Sequence, residues 1–349
     1  MESKGIKVLV VLLVVLVIIA GVLLGIKIVS ENKKDVQIPS KGNVSLGIDT
    51  AKKEEEKKVQ IYSGNDRPIA VMIDNNKSAW PHAGLNDAYL VYEIIVEGGE
   101  TRLMPVFKGV DLEKIGSVRS SRHYFLDYAM ENDAIYVHFG WSPQAQSDIS
   151  KYKVNNLNGI TQSATDFWRV KTKKSPHNVV TSTKKILEMA EEKGYRTQSS
   201  AKSILNYQVD EVNLAEGVEV NRIVIPYTEK NTVSYTYDAV NKKYIRYAKN
   251  VKQTDWTTGE DVVAKNIIIT FAENYTLADK ENKGRQGLKN IGDKKGYYIT
   301  NGRAIEITCS KSARASKTVY KDLQGNEIKV NDGNTYIQIC PVDAKITIE

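Results

Sequence analysis

The chain has 349 residues, with 49 Lys and Arg against 42 Asp and Glu, giving a formal net charge of +7. That excess is thinly spread. No basic block alternates with aromatics in the folded part and no finger or RNP-like motif occurs, so a nucleic-acid partner is set aside for a mildly basic surface beside an anionic membrane or wall polymer. The two cysteines, Cys309 and Cys340, lack C-x-x-C or metal spacing. No metal or cofactor is expected, and they read as one disulfide or as two buried thiols.

In chain order, a short segment over residues 1–7 precedes an uncharged run, Val8–Ile26, of 19 apolar or small residues. At 1.5 Å per residue it reaches about 28 Å, the thickness of a bilayer's hydrocarbon core. The run is too long for a signal-peptide core and lacks a good cleavage site. The reading is a transmembrane signal-anchor over 8–29, with a cytoplasmic N-terminus and extracytoplasmic folded domains. Residues 30–65 are polar and include the run Lys52–Lys58 (KKEEEKK), which suits a disordered charged stalk.

Order is expected from Arg67-Pro68. Residues 69–73, 89–96, 103–107 and 134–139 are compact apolar runs read as strands. Residues 120–130 suit a helix capped by Ser120 or Ser121, and 181–193 a helix opened by Thr or Ser and closed by Gly194. Strands alternating with helices predict an α/β (or α+β) N-terminal domain over 66–212. From about residue 217 only short alternating strands follow, with Asn301-Gly302 a strong hairpin turn, predicting a mainly antiparallel β domain over 213–349.

All four histidines, His82, His123, His138 and His177, fall in the first domain. Candidate chemistry is therefore placed there. Glu93 and Glu97, four apart on a strand, would share one face before the flexible Gly98-Gly99, and are candidate catalytic carboxylates with His138 as an assisting group. Gly116–His123 carries Arg119, Ser120, Arg122 and further hydroxyls at an expected helix N-terminus, a setting suited to phosphate or carboxylate. The plainer alternative is that these arginines pair with internal carboxylates. His138 ends a strand, where α/β sheets tend to place ligands, or is a satisfied core histidine. The run Lys171–Asn178 (KTKKSPHN) is a solvated charged face, apart from its unusual Pro176-His177-Asn178. The candidate binding set is Asp74, Asn75, Glu97, Arg102, Arg119, Ser120, Arg122, His138, His177 and Asn178, with Arg169 beside it.

Five segments together resemble a known family: RPIAVMIDN from Arg67, YEIIVEGGETR from Tyr92, IGSVRSSR from Ile115, DAIYVHFG from Asp133, and Pro176-His177-Asn178. The resemblance is to the YerB-like lipoprotein family, a two-part bacterial domain of unknown function, and covers about residues 66–345. It implies an extracytoplasmic, membrane-attached cell-envelope protein, and carries over no catalytic residues. The chain departs from the lipoprotein pattern because its expected anchor is a helix and not a lipidated cysteine. The resulting expectation is an envelope protein binding a wall polymer or envelope partner through its arginines. The alternatives are an envelope hydrolase or transferase using Glu93, Glu97 and His138, or a structural spacer in a membrane complex.

Overall fold

The computed structural model describes residues 57–278 and 280–349. The anchor expected over 8–29 lies outside these residues, as does most of the expected stalk. No helix of the described residues is long and apolar enough to cross a membrane. Order begins earlier than the sequence suggested. The backbone N–H groups of Gln60 and Ile61 donate to the carboxylate of Asp332 at 2.8 and 2.9 Å, and the Tyr62 ring meets Tyr89 edge-on at 5.1 Å. A carboxylate 271 residues away thus fixes the end of the presumed stalk.

The fold is mainly β, and its few helices are short. One large mixed sheet runs, edge to edge, through Val218–Glu219, Arg303–Lys311, Gly292–Thr300, Asn266–Thr276, Thr335–Pro341, Leu90–Ile95, Thr101–Phe107, Ile69–Val71, Ile135–His138 and Asn156–Asn158. The near-terminal strand Thr335–Pro341 inserts in parallel between Asn266–Thr276 and Leu90–Ile95. The change of pattern near residue 212 is therefore a boundary of sequence, while Glu56–Glu349 packs as one compact unit. The α/β expectation survives in one corner, where Ile69–Val71, Ile135–His138 and Asn156–Asn158 are parallel neighbours with the helices Phe125–Glu131 and Pro143–Lys151 between them in sequence.

The central strands read as unbroken apolar runs because both faces of the sheet are covered. Successive residues alternate between two cores. Ile69, Val71, Val91, Leu103, Ile267 and Ile269 face one side, and Ala70, Met72, Leu90, Met104, Ile268 and Ile337 the other. The first side is covered by the helix Thr183–Glu192, through Ile186 and Met189, and by a second antiparallel sheet built on Arg222–Thr228, Asn231–Asp238 and Lys243–Ala248. The second side is covered by Phe125, Leu126 and Ala129 of the short helix and by Tyr320 and Val330.

Local chemistry explains most elements. Ser182 caps the helix Thr183–Glu192 by accepting from the Lys185 N–H, and Gly194, at φ 67°, ends it. Asn301 and Gly302 take φ 49° and 72°, the left-handed pair that a two-residue hairpin requires. The helix expected over 120–130 is shorter, Phe125–Glu131, and has no side-chain cap. Residues 119–121 are claimed by sheet-like bonds instead: Arg119 N–H to Met72 O at 2.8 Å and Ser121 N–H to Gly140 O at 2.9 Å. The cysteines are buried free thiols. Their strands lie three spacings apart, roughly 14 Å at the usual interstrand distance, too far for a bridge.

A candidate anion site at the end of the sheet

The strand pair that carries the site is Ile73–Asp74 against Thr101–Phe107, in which Asp74 lies directly opposite Arg102. The extended segment 117–119 lies between this pair and residues 177–179. Asp74 N–H donates to Ser117 O at 2.9 Å, the Ser117 hydroxyl to His177 O at 2.6 Å, and Val118 N–H to Val179 O at 2.7 Å. Lys173 holds the incoming loop from below: its ammonium donates to Ala79 O and Pro81 O at 2.7 and 2.6 Å and lies 3.6 Å from the Trp256 ring centre. Burial pushes this lysine down to about 8. The run that read as a solvated face thus contains the anchor that positions His177.

Backbone register therefore brings together Asp74, Glu97, Arg102, Arg119, Arg122 and His177. His177 Nδ1 donates to Asp74 Oδ2 at 2.7 Å, and Arg119 Nε lies 3.4 Å from the same oxygen. Arg122 Nε donates to Glu97 Oε1 at 2.6 Å, and its Nη1 to Ser121 O at 2.7 Å. Arg102 is 7% exposed and donates through Nη1 to Ser120 O. Among the described residues its Nε and Nη2 have no hydrogen-bond partner, and neither is among the atoms sealed from solvent. Burial, with Arg122 and Arg119 beside it, pushes Arg102 down to about 10, while Glu97 and Asp74 pull the other way. Glu97 is held below the usual carboxylate range: burial, the largest single influence, opposes this, but Arg122 and Arg102 outweigh it. Three guanidinium groups thus crowd around two carboxylates, and the most buried of them keeps N–H groups to offer. Such a locus suits an anion with several oxygens.

Other candidates prove to be held structurally. Glu93 and Glu97 do not share a strand face, because the strand ends at Ile95 and Glu97 enters a tight turn through Gly98 and Gly99. Glu93 is fully buried. Its Oε2 accepts from Arg246 at 2.9 Å and Gln338 at 3.2 Å, and its Oε1 from Asn75 at 3.0 Å and Thr101 at 2.7 Å. With four partners and full burial it has no free valence for acid–base work. Asn75 is used up in the same network. His138 is also fully buried, its Nδ1 bonded to Gly140 O at 2.8 Å and its Nε2 3.2 Å from Asn156, and burial pushes it down to about 4. It is the satisfied core histidine. The Ser120 hydroxyl donates to Phe139 O at 2.9 Å, and Asn178 is fixed by Arg169, 2.7 Å from its side-chain oxygen. Arg169 itself stacks on Phe139.

Arg246 escaped the sequence reading, which placed candidate chemistry in the first domain with the four histidines. The signal was present: in KYIRYA, Tyr244, Arg246 and Ala248 share the buried phase of the alternation. Among the described residues no group of three His, Cys, Asp or Glu side chains is placed to hold a metal ion. Two clefts lie elsewhere. One of about 760 Å³ is bordered by Asp238, Glu260, Asp261 and Asp332, and one of about 680 Å³ by Val218, Tyr297, Ile305 and Leu323.

Comparison with known proteins bears on the same regions. A family model described as "Protein of unknown function (DUF3048) N-terminal domain" matches residues 52–196, and that of its C-terminal domain matches residues 223–337. The chain is 31% identical over 283 residues to the "Putative lipoprotein YerB" of Bacillus subtilis (strain 168), covering 79% of this chain and 81% of that protein. It is also similar to the crystal structure of the YerB protein from Bacillus subtilis, with a TM-score of 0.72 and 32% identity over 81% of this chain and 94% of that one. The N-terminal match spans every residue of the arginine cluster.

Proposed function

The chain belongs to the DUF3048 family, and from that premise we propose that it is a membrane-attached, extracytoplasmic cell-envelope protein whose N-terminal half binds an anionic envelope ligand. The attachment is the single apolar span over 8–29, whereas the Bacillus subtilis relative is named as a lipoprotein. The ligand is a wall polymer or an acidic surface of an envelope partner, gripped by Arg102, Arg119 and Arg122.

One observation carries this reading. Arg102 is more than nine-tenths buried and crowded by two like charges, yet keeps unpaired N–H groups turned to solvent. A guanidinium in such a place raises the energy of the fold unless an anion completes it. Co-sedimentation of the full chain with isolated wall material tests the reading. Arg119→Ala with Arg122→Ala should abolish sedimentation while circular dichroism and the urea midpoint stay near those of the parent. Undiminished binding by the folded double variant would remove it. Protease added to intact cells should digest a C-terminal tag; protection until lysis contradicts the topology.

A further inference from the structure

Within this anion site is a group that anion binding does not require. His177 Nδ1 faces the carboxylate of Asp74 at 2.7 Å, and a carboxylate oxygen only accepts, so Nδ1 bears the hydrogen and, whenever the ring is neutral, Nε2 the lone pair. Asp74 is buried, and its backbone is fixed on both sides, N–H to Ser117 O at 2.9 Å and carbonyl to His82 Nε2 at 2.7 Å. The imidazole is therefore oriented by a rigid partner. Nε2 has no hydrogen-bond partner among the described residues and is not among the atoms sealed from solvent. Arg119 reaches the same Asp74 oxygen, which places its guanidinium beside the ring, and Arg102 lies opposite Asp74 across the strand pair.

An oriented base beside three arginines discriminates between classes of anion. A carboxylate held by guanidinium groups is not an electrophile, and a base next to it has no step to perform. A phosphodiester held in the same way is an electrophile at phosphorus, and the arginines face the charge that spreads over its oxygens in the transition state. We propose that Asp74, His177 and the three arginines hydrolyse phosphodiesters, an inference that rests on the anion-site reading above. Water gives a proton to His177 Nε2 as its oxygen bonds to phosphorus. The bond from phosphorus to the ester oxygen in line with the attack breaks, that oxygen takes a proton from solvent, and the imidazolium returns its proton to solvent. The second proton of the water stays on the new P–OH, so the products are an alcohol and a phosphomonoester. His177 takes the acid–base role that sequence spacing gave to Glu93 or Glu97, and Asp74 the assisting role given to His138.

The test uses the full chain in detergent micelles with three phosphodiesters: bis(4-nitrophenyl) phosphate, soluble polyglycerol phosphate and phosphatidylglycerol vesicles. The last two separate a polymer source from a lipid source. Alcohol release is expected from the first and from one of the others. His177→Gln should lower kcat by about 10²–10⁴ with KM within about threefold, and should remove the rising limb of the pH profile. Added imidazole should restore part of the rate in His177→Ala, and Asp74→Asn should lower kcat through misorientation of the ring. If the parent releases no alcohol yet binds inorganic phosphate, hydrolysis is overturned and the anion site stands. If the parent binds no phosphate, both readings fall. Equal rates in the parent and in folded His177→Gln also overturn the proposal.

Discussion

Two clusters of arginine and carboxylate lie within a few residues of each other along the same strands, and they do opposite things. In the sheet interior, Glu93 and Arg246 are both fully buried, and Gln338, Asn75, Thr101 and Tyr227 close the network around the glutamate. At the sheet end, Arg102, Arg119 and Arg122 face Asp74 and Glu97, with N–H groups of the buried Arg102 left open. The first joins the two halves of the chain, since its members come from residues 75 to 338. The second joins little and leaves donors over. Charge on a strand does not by itself mark a site. What marks one is a buried charge whose partners fall short of its capacity and whose spare donors reach solvent. Arg246 also has unpaired nitrogens, but these are sealed from solvent and from any ligand.

The sharpest way to break this contrast is to remove one partner from each cluster. Arg246→Met strands the Glu93 carboxylate in the interior and should cost about 3–5 kcal/mol in urea unfolding. A loss under about 1 kcal/mol would mean that the interior pair is not a keystone between the sheets. Arg102→Met should do the reverse. It relieves a guanidinium that burial and two neighbouring arginines disfavour, so the urea midpoint should hold or rise, while affinity for inorganic phosphate falls at least tenfold, about 1.4 kcal/mol.

The histidines extend the comparison. Burial pushes His138 down to about 4, below its unfolded value near 6.5, so the unfolded chain binds more protons between those values. Its contribution is fully present above about pH 6.5 and is lost as pH falls toward 4, at up to about 1.4 kcal/mol per pH unit. The slope of unfolding free energy against pH should therefore drop by nearly one proton in that window for His138→Gln. An unchanged slope would show that His138 is protonated in the fold. The smallest effect is expected at Arg169→Ala: its bond to Asn178 and its stack on Phe139 are local, and phosphate affinity should change less than about threefold.

Much of this arrangement was legible in the sequence. The apolar runs gave the strands, Ser182 and Gly194 gave the helix that covers one face, and Asn301-Gly302 gave the hairpin. Six of the ten expected binding residues meet at the sheet end because register sets them there. What was not legible depended on long-range pairing. Thr335–Pro341 slots between strands from both halves, a contact between segments 245 residues apart at Glu93 and Gln338 that local pattern does not encode. The helix at Ser120 failed because the segment's N–H groups are paired with carbonyls of Met72 and Gly140, which holds the backbone extended. His138 and His177 look alike in sequence, each beside loop residues. Only packing shows that one is enclosed by Tyr136 and Trp141 while the other is held by Asp74 at the surface.

The central claim is that Arg102 is kept for a ligand and not for the fold. Calorimetric titration of the full chain with inorganic phosphate, parent beside Arg102→Met, measures it directly, with urea unfolding of the same samples as the control. The account predicts saturable heat in the parent, none in the variant at the same concentrations, and a variant at least as stable. A variant that binds phosphate as the parent does, or that loses binding only because it has unfolded, would contradict it.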